Sequence, residues 1–423
     1  MELRAGYKKT EAGLIPNDWN IFELGEHLGF QGGSQPDKSY FSPSPKEGFI
    51  RLIQIRDYKT DKYITYVPRS LARKFCSSDD IMIGRYGPPI FQILKGIEGA
   101  YNVALIKAIP EESIVKSYAY YFLKQTKLFN FVEKLSQRSS GQTGIDLNEL
   151  KRYPIALPPT KKEQVSIATT LSDVDTLITQ LEKLITKKRQ IKQGAMQTLL
   201  NPFESNGELK HDWSMTTYGQ AFDFLSTAAY SRADLGGGDC GYIHYGDIHT
   251  DWENHLDVQK VELPMISTEQ AKPYAFAQEG DLVMADASED YDGIGKSVEI
   301  IGLEGNKVIS GLHTFLLRSK GDTFVNGFKG YIHQITSVKQ QLNKMATGLK
   351  VYGVSKNNLK NIFIPRPPKN DQEKITNILR DMDAEISELA CKVKKMKELK
   401  QGMMQSLLTG QIRLVDPAPK NEQ

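Results

Sequence analysis

The stretch from Gln164 to Leu200 lies on Gln372 to Leu408 without a gap, and 15 of the 37 aligned positions are identical. Among them are Ile167/Ile375, Leu171/Leu379, Asp173/Asp381, Asp175/Asp383, Ile178/Ile386, Leu181/Leu389 and the Lys192-Gln193-Gly194/Lys400-Gln401-Gly402 pair. A repeat with a period of about half the chain means two related units in tandem, and a two-fold object usually meets a two-part target.

Inside each copy the apolar residues alternate between spacings of three and four. The first seam is Leu171, Val174, Ile178, Leu181 and Ile185; the second is Leu379, Met382, Ile386, Leu389, Val393 and Met396. This is the a/d pattern of a coiled-coil helix, with Lys, Glu, Gln, Thr and Asp between the seam positions. Leu157-Pro158-Pro159 and Pro365-Arg366-Pro367-Pro368 precede the copies as hinges, since proline fits before or in a first turn but not inside a helix. Asp173 and Asp381 fall within the periodic runs and read as surface positions, not caps. Matching length and seam predict an intrachain antiparallel coiled coil. Two unrelated surface helices, or a seam between two chains, are the alternatives.

The chain has 423 residues, too many for one ordinary core. Its three cysteines, Cys76, Cys240 and Cys391, are scattered, which argues for a reducing, cytoplasmic setting and against a disulfide framework or metal cluster. No apolar run reaches membrane-spanning length, and none near Met1 reads as a signal peptide. Lys and Arg total 54 against 51 Asp and Glu, a net charge of +3 that permits nucleic-acid binding without demanding it.

The segments before the two helices also echo each other. Asp18-Trp19 is matched by Asp212-Trp213, and Leu24-Gly25 by Tyr218-Gly219. A strand-like run from Gly48 to Arg56 is matched by Gly241 to His249, and Asp80-Ile81-Met82-Ile83 by Asp281-Leu282-Val283-Met284. Short helices are expected over Tyr118–Leu135 and Tyr331–Met345, each followed by a Gly/Ser/Thr-rich loop. The fold class predicted is α+β: two globular recognition domains separated by two long helices, in a pseudo-two-fold tandem. The expected boundaries are a first domain over 1–156, hinge and central helix over 157–203, a second domain over 204–364, hinge and C-terminal helix over 365–412, and a tail over 413–423. The polar residues on the shared frame differ, as in Gln54/Arg56 against Asp247/His249 and Arg85-Tyr86 against Asp286-Ala287.

Over nearly its full length the chain resembles the specificity subunit of a type I DNA restriction-modification system. Leu157-Pro158-Pro159, Glu163-Gln164, Ile167-Ala168, Leu171, Asp173, Asp175 and Met196-Gln197-Thr198-Leu199-Leu200 carry the resemblance in the first copy. Met404-Gln405-Ser406-Leu407-Leu408-Thr409-Gly410 carries it in the second. The family's acidic-Gln pair stands as Glu163-Gln164 and Asp371-Gln372; the second hinge is one residue shorter, with Arg366 interrupting its prolines. The resemblance implies a chain with no catalytic residues and no cofactor. Each domain would read one half of a bipartite double-stranded DNA site, and the helix pair would set the gap. Two methyltransferase subunits would dock, restriction subunits would join them in the full complex, and no membrane would be involved. A helix of 37 residues is about 55 Å long, the span of roughly 16 base pairs. A coiled-coil scaffold that binds only proteins is the competing function.

Arg reads guanine, Asn or Gln reads adenine, and small hydroxyls and aromatics supplement them. On that basis the first domain's candidates for DNA binding are Gln31, Ser34, Arg51, Gln54, Arg56, Arg85, Tyr86, Arg138, Gln142 and Thr143. Those of the second are Thr227, Tyr230, Arg232, His244, His249, Lys296, Lys350 and Tyr352. Any one of them could equally be an ordinary surface residue. Gly293-Ile294-Gly295-Lys296-Ser297 ends like a phosphate loop, but Asp290 stands where its first glycine belongs. Asn201-Pro202-Phe203 resembles part of a methyltransferase tetrad, yet it lacks the second proline and reads as a helix stop. As a strand, 247, 249 and 251 would share one face with His244 on the other, which argues against a metal site; no metal is expected. Glu289, Asp290 and Asp292 read as a solvated loop.

Overall fold

A computed structural model describes residues 5–138, 144–348 and 351–414. The chain divides into two compact units, one of Met1–Glu182 with Cys391–Gln423 and one of Lys183–Ala390. Among the described residues no helix is long and apolar enough to cross a membrane.

In the first unit Ile81–Gly84 is buried along its whole length, as its unbroken apolar run requires of a central strand. It lies in a four-stranded sheet ordered Leu28–Gly32, Leu105–Pro110, Ile81–Gly84, Gln92–Leu94. A second sheet is ordered Tyr66–Pro68, Phe49–Ile53, Gly99–Tyr101, Phe75–Cys76, with Gly99–Tyr101 parallel to Phe49–Ile53. Gly33 permits a close crossing at the end of the first sheet, because a Cβ there would lie 2.0 Å from the Asn102 carbonyl oxygen. Asn20–Glu23 pairs antiparallel with Pro154–Leu157, so the domain closes immediately before the proline hinge.

The second unit repeats this plan. Leu282–Ala285 is the fully buried central strand, in a sheet ordered Phe222–Leu225, Thr314–Ser319, Leu282–Ala285, Ser297–Ile301, His255–Asp257. A three-stranded sheet sets Cys240–Ile243 between Met265–Ile266 and Lys307–Ser310, parallel to the latter. Ser214–Thr217 with Phe363–Arg366 closes the domain before its hinge.

The predicted long strands are corrected. The first ends at Ile53 and passes into a 3-10 turn over Ile55–Tyr58. The second ends at Ile243 and passes into a helix over Tyr245–Thr250. In both, a polar residue takes over backbone N–H groups that a strand would have paired: Asp57 accepts from the Gln54 amide, and the His244 imidazole from the Gly246 amide. The strand-face argument about 247, 249 and 251 therefore does not hold, since these residues lie on or just after a helix. The expected helix over Tyr118–Leu135 is two helices, Lys116–Leu123 and Thr126–Arg138, and that over Tyr331–Met345 is a 3-10 turn followed by Thr336–Met345.

Two helices of 39 residues, Lys161–Leu199 and Lys369–Leu407, carry the repeat. Asp173 and Asp381 lie well inside them and are exposed. The first ends where Asn201 caps the Phe203 amide, and the second where Gly410 turns with a φ of +68°. In the first unit Asp175 pairs with Lys400 at 2.6 Å and Glu182 with Lys397 at 2.7 Å. Residue number rises along one helix as it falls along the other, so these segments run antiparallel. In the second unit Lys188–Glu385 at 2.7 Å and Lys192–Asp383 give the same sense. Leu171, Ile178, Leu181, Ile185, Leu379 and Val393 are buried, while Val174, Met382, Ile386, Leu389 and Met396 are half-buried.

Candidate nucleic-acid interface

In each unit the turn leaving the buried central strand collects polar side chains, because there the backbone emerges from the core. In the first unit this is Arg85-Tyr86. The Arg85 guanidinium stands 5.4 Å from the ring centre of the exposed Tyr86, and Gly144 approaches that ring. The 3-10 turn beside it is organised by Asp57. Its carboxylate, nearly inaccessible, lies 3.7 Å from Arg51 and 4.0 Å from Arg56, and burial raises its pKa despite both guanidinium groups. Arg51 also binds Asp61 at 3.0 Å, and the Gln54 amide donates to Thr65 at 3.1 Å. Arg56 remains half-exposed, 5.5 Å from the Tyr63 ring, beside a groove of about 490 Å³. The Gln31 side-chain oxygen accepts from the Tyr101 hydroxyl at 3.0 Å, and Ser34 follows on the crossing loop with its amide on the Tyr101 carbonyl. Arg138 ends a helix, and Gln142 and Thr143 lie outside the described residues.

The second unit presents a cleft of about 710 Å³ whose lining includes Tyr245, His249, Lys296 and His313. His249 places Nε2 2.8 Å from the Ala287 carbonyl, which fixes that nitrogen as the donor and leaves Nδ1 as an acceptor in the neutral ring. Lys296 donates to the His249 carbonyl at 3.0 Å, and burial lowers its pKa. Asp286 and His313 meet at 3.2 Å; burial raises the Asp286 pKa, with the His313 charge opposing it. The Tyr352 ring lies 4.1 Å from that of Tyr291, tilted by 36°, and its short strand pairs with Ala287-Ser288.

Of the remaining candidates, Arg232 is bound to Asp247 on the helix that His244 caps, and burial lowers the His244 pKa, with Arg232 adding to it. Tyr230 contacts the Gln270 carbonyl at 3.4 Å, and Thr227 follows the edge strand Phe222–Leu225. Lys350 lies outside the described residues. Ser297 points its hydroxyl at buried His333 (3.1 Å), not toward a phosphate cradle. In the acidic loop Asp290 accepts the Gly293 amide and Asp292 pairs with Lys339.

Sequence reasoning passed over Tyr245 and His313. His313 had a possible signal in the Gly311-Leu312-His313 turn, where it adopts a φ of +54°. Tyr245 had none beyond its aromaticity. Together the cleft offers an imidazole acceptor, an ammonium donor, carboxylates and aromatic faces, the groups that read base edges and stack on them.

A family model described as the type I restriction modification DNA specificity domain matches residues 16–193 and 268–401. The type I restriction enzyme MjaVIII specificity subunit of Methanocaldococcus jannaschii is 23% identical over 428 residues, covering 96% of each chain. Among solved structures, the S subunit of a type I restriction-modification system from M. genitalium aligns with a TM-score of 0.56 at 14% identity, covering 96% of this chain and 98% of that one. A chain solved in work on complex assembly and conformational transition of the type I R-M system aligns with a TM-score of 0.57 at 16% identity, covering 94% and 99%.

Proposed function

The chain belongs to the type I restriction-modification DNA specificity family, and from that premise we propose how its two units divide the work. It is the specificity subunit. Each recognition domain reads one half of a bipartite duplex site, and the paired helices form a coiled coil that sets the unread gap. The chain performs no chemistry itself. It acts in the cytoplasm, holding two methyltransferase subunits, with restriction subunits joining in the full complex.

One observation carries the reading: the same strand plan presents different polar groups at equivalent places. The first unit offers Arg56, Arg85 and Tyr86 at its turns, where the second has His249, Asp286 and Ala287, with Lys296 close by His249. One scaffold with two sets of readers suits two unlike half-sites. Bulk charge cannot supply the specificity, since a net +3 neutralises few phosphates. The antiparallel ion pairs within each unit and the buried seam residues support the ruler. A protein-only scaffold gives no reason for a turn cluster that differs between otherwise matching domains.

The test is selection of duplexes from a random library by the complex with its methyltransferase subunit, followed by removal of one heptad from each helix. Each heptad is about 10 Å long, or roughly three base pairs of gap. The expected result is two fixed blocks whose separation shortens on deletion. One contiguous block, or no enrichment by a stable complex, contradicts the proposal.

A further inference from the structure

Tyr121 donates to Asp175 at 2.9 Å, and the other carboxylate oxygen of Asp175 meets Lys400 at 2.6 Å. In the second unit Tyr331 donates to Asp383 at 3.2 Å, and Asp383 meets Lys192. Asp175/Asp383 and Lys192/Lys400 are repeat equivalents, so one three-residue contact is built twice, from a recognition-domain tyrosine and one residue of each helix; in the second unit Lys192 also meets Glu253 at 3.2 Å. Both tyrosines are nearly inaccessible, and burial raises their pKa, so each stays a donor.

Each contact borders a cleft. Beside Asp175 lies a cleft of about 630 Å³, lined on the helix side by Ile178, Lys397, Lys400, Gln401 and Met404. Beside Asp383 lies one of about 370 Å³, lined by the equivalents Ile386, Arg189, Lys192, Gln193 and Met196. Apolar burial holds each domain on the start of one helix and on the residues around the end of the other, at Ile167, Leu171, Leu407 and Leu408 in one unit and at Ile375, Leu379 and Leu200 in the other. The polar contact comes later. Asp175 is eleven residues beyond Gln164, about 16 Å along the axis. A polar tie at that lever arm adds a directional constraint to the one the apolar patch supplies.

We propose that Tyr121–Asp175–Lys400 and Tyr331–Asp383–Lys192 are positioning triads that fix the angle of each recognition domain on the helices, and thereby the sharpness of the gap. This rests on the two-reader function above. The triads touch no base; they act through the placement of the readers.

The experiment uses the full complex with its methyltransferase subunit, on duplexes sharing both half-sites but with the gap varied by one base pair either way. Asp175→Ala with Asp383→Ala should raise methylation at the wrong gaps, relative to the native gap, at least tenfold. Base preference within each half-site should be unchanged. Tyr121→Phe with Tyr331→Phe, a milder change should the alanine pair not assemble, should raise the ratio about threefold. Lys400→Arg with Lys192→Arg should keep it. A ratio within twofold of the parent in either assembled variant overturns the proposal, as does an equal loss at every gap, which marks a structural role only. An unaltered complex that shows no gap preference refutes the two-reader function instead.

Discussion

The side-chain oxygen of Gln164 accepts the backbone N–H of Val115 at 2.8 Å, joining the start of the first long helix to the recognition domain that precedes it. Gln372 does the same for Val325 at 2.9 Å. Both glutamines are almost fully buried, so removing one strands a backbone donor away from water. Gln164→Ala and Gln372→Ala should each cost about 1–3 kcal/mol in urea unfolding. With the two bonds in separate units, the losses should add in the double variant. A loss under about 0.5 kcal/mol at either position would show that the bond is dispensable.

Glu299 and Lys329 form an ion pair at 2.9 Å, with side chains 0% and 1% exposed, and Glu299 also accepts the Gly327 and Gly330 amides. Lys329→Met leaves a buried carboxylate without its cation and should cost about 3–5 kcal/mol. Chemical denaturation checks it. Lys329→Met with Glu299→Gln should recover part of the loss, because it removes the buried charge while the amide oxygen still accepts from one of the two glycine N–H groups.

His333 is enclosed and its pKa is pushed down to about 3, chiefly by burial. The folded state therefore excludes a proton that the unfolded chain binds below about 6.5. The stability this group permits is fully present above that value and falls as pH drops toward 3, by up to about 1.4 kcal/mol per pH unit. His333→Gln should flatten the acid limb of a melting-temperature profile between pH 6 and 4. An unchanged slope would mean that His333 is protonated in the folded state.

Arg56→Ala should weaken selection at the first half-site only, and Lys296→Ala at the second only, each by about 1–3 kcal/mol in competition binding. The parent chain and both variants should be compared at a single salt concentration. Equal weakening at both half-sites would mark the residue as a phosphate contact.

The two long helices were legible because helix-forming patterns are local, and they begin within a few residues of the repeat's Gln164 and Gln372. The central strands were legible too, since continuous apolar runs such as Ile81-Met82-Ile83 have few other uses. The strand ends were not. Asp57 and His244 convert strand into helical turn through side-chain bonds that no alternation of polar and apolar residues reveals. How far each candidate is engaged was not legible: Arg51 and Gln54 look like Arg56 in sequence, yet they bond Asp61 and Thr65, while Arg56 donates to the Tyr63 carbonyl at 3.4 Å and stays half-exposed. The triads escaped notice because Tyr121 and Asp175 are 54 residues apart and meet only in the fold.

The most direct measurement is a map of methylated adenines in cells that express this chain with its methyltransferase subunit. The account predicts a split motif with one fixed unread gap, methylated on both strands, whose two halves respond separately to changes in the two domains. A contiguous motif, or an unmodified genome despite a stable complex, would contradict it.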